Sequence, residues 1–320
     1  MNKISPTQIT QENDHYIFEL DKDVIRKKVS YYTRYGIEIA ADLYYKKNLD
    51  LNKKNVGLVI GPPFGGVKEQ GPGVYANQLA KYGYVIIAFD LAYHGYSGGE
   101  PRYTGSPDTY LEDFSAAVDY LTTLDFVDED KIAAIGICAS GGFALGAAAQ
   151  DARIKAVVTS VMYDIPRLAG QTTGEERNKQ LITFSKLRTT DPTKYQLNYP
   201  TEPQDSIPAN LPPVQSEFFS FYGTKRGWHK HALTNITDVS NLSFMNFEAT
   251  DRINEISPRP VLMITSEEAH SKQFTLDTYK RLKEPKKLDI EPKGQHIDFY
   301  DNIDVIPFNK IDAFLRNSLQ

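Results

Sequence analysis

The chain has 320 residues, 41% hydrophobic and 24% charged, with a formal net charge of −5. That is apolar enough for one large core with an insertion, and of the wrong sign for nucleic acid or an anionic membrane surface. A single cysteine excludes an intramolecular disulfide framework and fits a reducing compartment, so a cytoplasmic protein is expected.

The opening stretch MNKISPTQITQENDHY is polar and unlike a secretory leader, and no apolar run reaches the roughly 18–20 residues of a membrane span. Residues 24–45 are rich in β-formers and are broken by Arg34-Tyr35-Gly36, which reads as a hairpin. A strand–helix alternation follows: a buried strand over 56–60, a helix over 71–82, and a second buried strand over 84–89 (YVIIAF). Ser106 and Pro107 open a helix in which Leu111, Phe114, Val118 and Leu121 recur at helical spacing. Residues 132–137 form a third buried strand, 141–149 a small-residue helix, and 154–161 a fourth strand. The rhythm stops over 164–255, a polar, aromatic and proline-bearing stretch too long for an ordinary loop. It resumes with PVLMI at 260–264, a helix over 272–283, a strand over 287–291 and a last helix ending at Leu315. Such alternation predicts an α/β fold, a mostly parallel sheet covered by helices on both faces. The expected layout is one domain over 1–320, with a core of about 24–163 and 256–318 and a cap insertion over 164–255.

The third strand runs into Gly136-Ile137-Cys138-Ala139-Ser140-Gly141-Gly142. Small residues two before and two after a nucleophile let a strand turn abruptly into a helix and lift the central side chain onto a strained elbow. A helix N-terminus beneath it favours a thiolate. Ser140 is the apex in a second register, Cys138-x-Ser140-x-Gly142. The apolar run ending at Ile137 favours Cys138.

A nucleophile on an elbow needs a base. Of six histidines, only His296 follows the last predicted strand in a glycine-bearing loop, Lys293-Gly294-Gln295-His296, from which an imidazole reaches the carboxyl end of the sheet. It is expected to pair with the thiol as thiolate and imidazolium. The acid is expected just past PVLMI, where Glu267 and Glu268 compete, Glu267 being preferred. His270 nearby is expected to line the pocket. Two backbone N–H groups should hold a developing oxyanion: Ala139, directly after the nucleophile, and Phe64 or Gly65 in Gly61-Pro62-Pro63-Phe64-Gly65-Gly66, because prolines have no N–H. After the second buried strand, Asp90 is expected to tie down its loop, with Tyr93 and His94 toward the substrate.

The segments GPPFGGVKEQ (61–70), AFDLAYHGYSGGEPR (88–102), YLTTLDFVDEDKIAAIGICASGGFA (120–144), PRPVLMITSEEAHS (258–271) and KGQHIDFYD (293–301) resemble bacterial α/β-hydrolases of the dienelactone-hydrolase-like group. The resemblance runs in family order through most of 24–318. It implies the α/β-hydrolase fold, a triad of Cys138, Glu267 or Glu268, and His296, and oxyanion amides at Ala139 and Phe64. The chain departs from many relatives in its cysteine elbow, in Pro62-Pro63, and in a glutamate at an unusual offset.

In this fold a segment such as 164–255 commonly caps the nucleophile. Phe218, Phe219, Phe221, Tyr222, Trp228, Phe244 and Phe247 are candidates for an apolar roof. The basic cluster Lys225, Arg226, His229, Lys230 and His231 reads as a solvated face or a carboxylate contact. The expectation is a hydrolase of ester, thioester or lactone bonds on a small acyl substrate, without metal or cofactor, with homo-oligomerisation left open. The alternatives are acyl transfer on the same fold, or a non-catalytic binding or redox-sensing role for Cys138.

Overall fold

The computed structural model describes residues 15–320. The opening stretch through residue 14, and with it the reading that it is no leader, lies outside the described residues. The hairpin strands are β1 (Val24–Tyr32) and β2 (Glu38–Lys46), and β3 (Asn55–Gly61) starts the alternation. Then follow α1 (Gly71–Ala80), β4 (Val85–Phe89), α2 (Pro107–Thr122), β5 (Val127–Ile137), α3 (Ser140–Gln150) and β6 (Ile154–Ser160). The insertion carries α4 (Ile165–Gly170), α5 (Gly174–Thr190), α6 (Pro213–Tyr222) and α7 (Asn241–Phe244). The chain closes with β7 (Val261–Ser266), α8 (Lys272–Arg281), β8 (Lys286–Glu291), α9 (Asp298–Asp301) and α10 (Phe308–Ser318).

The eight strands make one sheet in the order β1-β2-β4-β3-β5-β6-β7-β8, with only the β1–β2 and β2–β4 pairs antiparallel. This is the α/β fold expected from the alternation. β5 begins earlier than its apolar run, at Val127, because polar Asp128–Asp130 continue the extended backbone to the sheet rim. Ser106 stands at the N-terminus of α2 with Pro107 inside it, but its side chain makes no capping bond.

The order matters for function. The chain leaves β3 for β4 on one side and returns to β5 on the other, so the loops after β3 and β5 diverge at a topological switch point where crevice sites form. Gly61 pairs with Gly136, the penultimate residue of β5, so both strands end at one level. The Phe64 loop and Cys138 are therefore neighbours by register.

Glycine is required at Gly136, because a Cβ there would run into the backbone of Ser140 as α3 doubles back on its own strand. We predict that Gly136→Ala destabilises the protein by about 1–3 kcal/mol or prevents folding, measured by urea unfolding. Wild-type stability in that variant would contradict the close approach.

Candidate active site

The sharp turn from β5 to α3 falls on Cys138, whose φ of 56° lies in the left-handed region. Its carbonyl accepts N–H groups from Gly141 and Tyr163, each at 2.9 Å, and its own N–H donates to Ser160. These bonds hold the strained residue from both sides. Ser140 instead begins α3, and its hydroxyl is buried against Gly61 with no hydrogen-bond partner among the described residues.

The N–H groups of Phe64 and Ala139 converge on the Cys138 sulfur. Of the two candidates in the first loop, it is Phe64 that reaches it. Gly65 takes a φ of 75° and passes under Asn235 of the insertion. A buried network fixes the loop: Gly66 N–H donates to Pro63, Val67 N–H to Gln70, and Lys68 N–H to Asp90 at 2.7 Å. The other Asp90 oxygen accepts from Tyr96 N–H, so Asp90 ties the β4 loop to the β3 loop.

His296 is buried above the same sheet edge. Its Nδ1 lies 2.7 Å from Ser271 Oγ and its Nε2 2.9 Å from the Tyr300 hydroxyl, which also contacts Cys138. The proton positions follow from one another. Ser271 donates its O–H to the Val161 carbonyl at 3.3 Å, so its oxygen accepts from His296 Nδ1–H. Nε2 is then the bare nitrogen and accepts from Tyr300. A hydrogen bond also joins the tyrosine hydroxyl to the Cys138 sulfur. Cys138 and His296 are thus joined through Tyr300.

Neither group is charged at rest. Burial pushes the thiol up to about 11, against the opposing pull of Tyr300 and of the Phe64 and Ala139 amides. Burial, helped by neighbouring His270, holds the imidazole well below its usual range. The expected thiolate–imidazolium pair is absent for that reason: the chamber is too dry to support it without a compensating charge.

The expected carboxylates do not supply one. Glu267 points to solvent and pairs with Lys272 at 2.6 Å, while Glu268 accepts from Gly294 N–H at 3.1 Å. Both lie on the outer side of the β7 turn, and the inner position beside the imidazole is taken by Ser271. The nearer carboxylate is Glu217, from α6 of the insertion. It holds His270 Nδ1 at 2.9 Å and accepts from Ile297 N–H at 2.9 Å. His270 stacks on His296 with ring centroids 4.6 Å apart.

Around the sulfur stand Tyr163, Tyr199, Tyr222 and Tyr300, close enough that a thiolate would disfavour ionisation of each. Phe218 packs edge-on to both histidines, and Phe244 packs on Phe64. A cavity of about 310 Å³ lies beside Phe64, lined by Asn198, Asn235, Ile236, Asn241 and Phe244 among others. His94 is buried on the Tyr110 hydroxyl at 2.7 Å, its pKa lowered to about 3 by burial, and Tyr110 packs on Phe244, which packs on Phe64. Tyr93, with a φ of 70°, packs against Gly99 in the same loop.

The basic cluster divides between the surface and the interior. Arg226 clamps Asp298 and Asp301 of α9, Lys225 pairs with Asp205, and His229 is buried facing Glu69. Among the described residues no three His, Cys, Asp or Glu side chains converge to hold a metal ion, and no helix is long and apolar enough to cross a membrane.

Residues 39–163, from β2 past the elbow, match the dienelactone hydrolase family. An uncharacterised protein of Pseudomonas aeruginosa, PA2218, is 42% identical over 98% of this chain and 85% of its own length. Its crystal structure superposes with a TM-score of 0.91 over 99% of this chain and 100% of that one. The chain belongs to the dienelactone-hydrolase-like α/β-hydrolases. The uncharacterised protein YcjY of Escherichia coli is 33% identical, over 83% of this chain and 89% of its own. The α/β-hydrolase GrgF of a Penicillium species, named a polyketide transferase, is 25% identical over 83% of this chain and 90% of its own. Its crystal structure gives a TM-score of 0.73 at 22% identity, over 92% and 99% of the two chains.

The site residues that sequence reasoning missed are Tyr300, Ser271 and Glu217. Tyr300 lies four residues after His296, the spacing that puts two side chains on one face of a helical turn, and could have been found from that. Glu217 directly precedes the aromatic run of α6, and nothing in its spacing links it to a histidine.

Because burial raises the thiol, its thiolate fraction grows tenfold per pH unit throughout the accessible range. We predict that iodoacetamide alkylation of Cys138 rises log-linearly from pH 6 to 10, and that Glu267→Gln leaves the profile unchanged. A plateau beginning near an ordinary thiol pKa of about 8.5 would contradict the buried resting state.

Proposed function

We propose that the protein is an acyl-transferring hydrolase in which Cys138 is the nucleophile, Tyr300 and His296 carry its proton, and the amides of Phe64 and Ala139 form the oxyanion hole. The observation that supports this reading is the hydrogen-bonded chain from Cys138 through Tyr300 to His296. In the acylation step the sulfur bonds to the carbonyl carbon of a thioester, ester or lactone. The thiol proton passes to the Tyr300 oxygen, and the tyrosine proton passes to His296 Nε2. The carbonyl oxygen gains the negative charge and is held by the two N–H groups. Collapse expels the leaving group, which takes the proton back along the same route and leaves an acyl thioester on Cys138. Water then attacks the acyl carbon and gives a proton to His296; collapse breaks the carbon–sulfur bond, and that proton returns through Tyr300 to the sulfur, releasing the acid and restoring the thiol.

Charge separation in this dry chamber is costly until an oxyanion appears beside it, so the chain transfers protons on demand. Thioesters and activated esters are the preferred class, because their leaving groups ask least of the weakly basic imidazole. We assign the 164–255 segment the role of a cap over the site. The single free thiol suits a reducing compartment such as the cytoplasm.

A second reading, transfer of the acyl group to an organic acceptor, is favoured by the enclosure of Cys138, which is 4% exposed among aromatic rings. The name borne by GrgF is in keeping with it.

A panel of nitrophenyl esters, acyl thioesters and lactones, read by product release and intact mass, tests both. Wild type should gain one acyl mass at Cys138 and turn over at least one thioester. Cys138→Ala should lose turnover by about a thousandfold or more. Full turnover by Cys138→Ala would overturn the proposal.

A further inference from the structure

We propose that Glu217, carried on α6 of the insertion, is the positioning carboxylate of the His270–His296 pair, in place of either glutamate after β7. The inference rests on the reading of Cys138 and His296 as nucleophile and base.

One carboxylate makes two bonds at this place. Its Oε2 lies 2.9 Å from His270 Nδ1, and its Oε1 accepts at 2.9 Å from the N–H of Ile297, the residue after His296. A carboxylate only accepts, so His270 donates from Nδ1, leaving Nε2 as its other ring nitrogen. That nitrogen is buried and has no hydrogen-bond partner among the described residues. The His270 ring lies over His296 at 4.6 Å with 29° between the planes. Glu217 thus fixes the tautomer and plane of one imidazole and the backbone beside the other.

The remaining ionisable groups facing the two rings are Tyr163, Tyr300 and Cys138, all uncharged at rest. Among the described residues no other carboxylate bonds either imidazole. When His296 takes the relayed proton, Glu217 is the negative charge nearest in the bonded network, and it arrives from the insertion. A catalytic charge that depends on the seated cap is the consequence.

The test uses the full chain with Glu217→Gln and Glu217→Asp, assayed on the thioester that the panel identifies. Glutamine keeps an oxygen for Ile297 N–H and loses the charge. A carboxylate stabilises protonated imidazole, so its removal lowers the pKa of the pair. The expected result is a fall in kcat of about tenfold with KM within about twofold, a shift of the acid limb of kcat to lower pH, and partial recovery in Glu217→Asp. Nitrogen-15 NMR of the histidines should show the His270 tautomer exchange in Glu217→Gln, in protein whose urea midpoint is unchanged. Wild-type kcat and acid limb in Glu217→Gln overturn the assignment, as does equal loss in both variants through KM alone. If Cys138→Ala is inactive while Glu217→Gln behaves as wild type, this assignment fails and the nucleophile stands. If Cys138→Ala turns over normally, both fall.

Discussion

The closure of α3 onto the end of β5 is the constraint from which the site follows. With no side chain at Gly136, the helix backbone comes down against the strand, and the chain can make that turn only by placing Cys138 at a positive φ. The strained residue is held by hydrogen bonds from the start of α3 and from Tyr163. Its sulfur then stands at the switch point of the sheet, where the register of β3 against β5 has already delivered the Phe64 amide. Relaxing the turn would lose the alignment of sulfur, amides and Tyr300 together.

A second constraint is dryness. Sulfur, imidazole and tyrosine hydroxyl are all buried, and the charged form of each is penalised by the same lack of water. Holding the thiol at about 11 rather than 9 costs the thiolate on the order of 3 kcal/mol. A resting ion pair is therefore replaced by a neutral, oriented chain ending in Ser271 and the Val161 carbonyl. Val161 is itself strained, a β-branched residue with a φ of 42°, and that geometry presents its carbonyl to Ser271. The arrangement resembles a loaded relay more than an exposed reactive thiol, which suits chemistry that must begin only with an acyl group in place.

Much of this was legible in the sequence, and the reasons are physical. The buried strands announce themselves as apolar runs, and the alternation with helices dictates a parallel sheet. The glycines around Cys138 mark the sharp turn, and the loop around His296 brings an imidazole to the same end of the sheet. The acid was not legible. Local reasoning looks for a carboxylate directly after β7, yet Glu267 is drawn outward to Lys272 and Glu268 to Gly294, leaving Ser271 inside. Glu217 reaches the histidines through tertiary packing of an insertion, at a separation of 80 residues from Ile297 that no periodicity encodes. Within the basic cluster Lys225 lies on the surface, as a solvated face would have it, while Arg226 finds its anions on α9 across the fold.

The claim on which the account turns is that the proton of Cys138 leaves through the hydroxyl of Tyr300. Rapid-quench mass spectrometry of acyl-enzyme formation, comparing wild type with Tyr300→Phe, measures that step apart from deacylation. Acylation of Cys138 slowed by about a hundredfold in Tyr300→Phe, with the phenylalanine protein folded normally, is the predicted result. An acylation rate equal to that of wild type would contradict it.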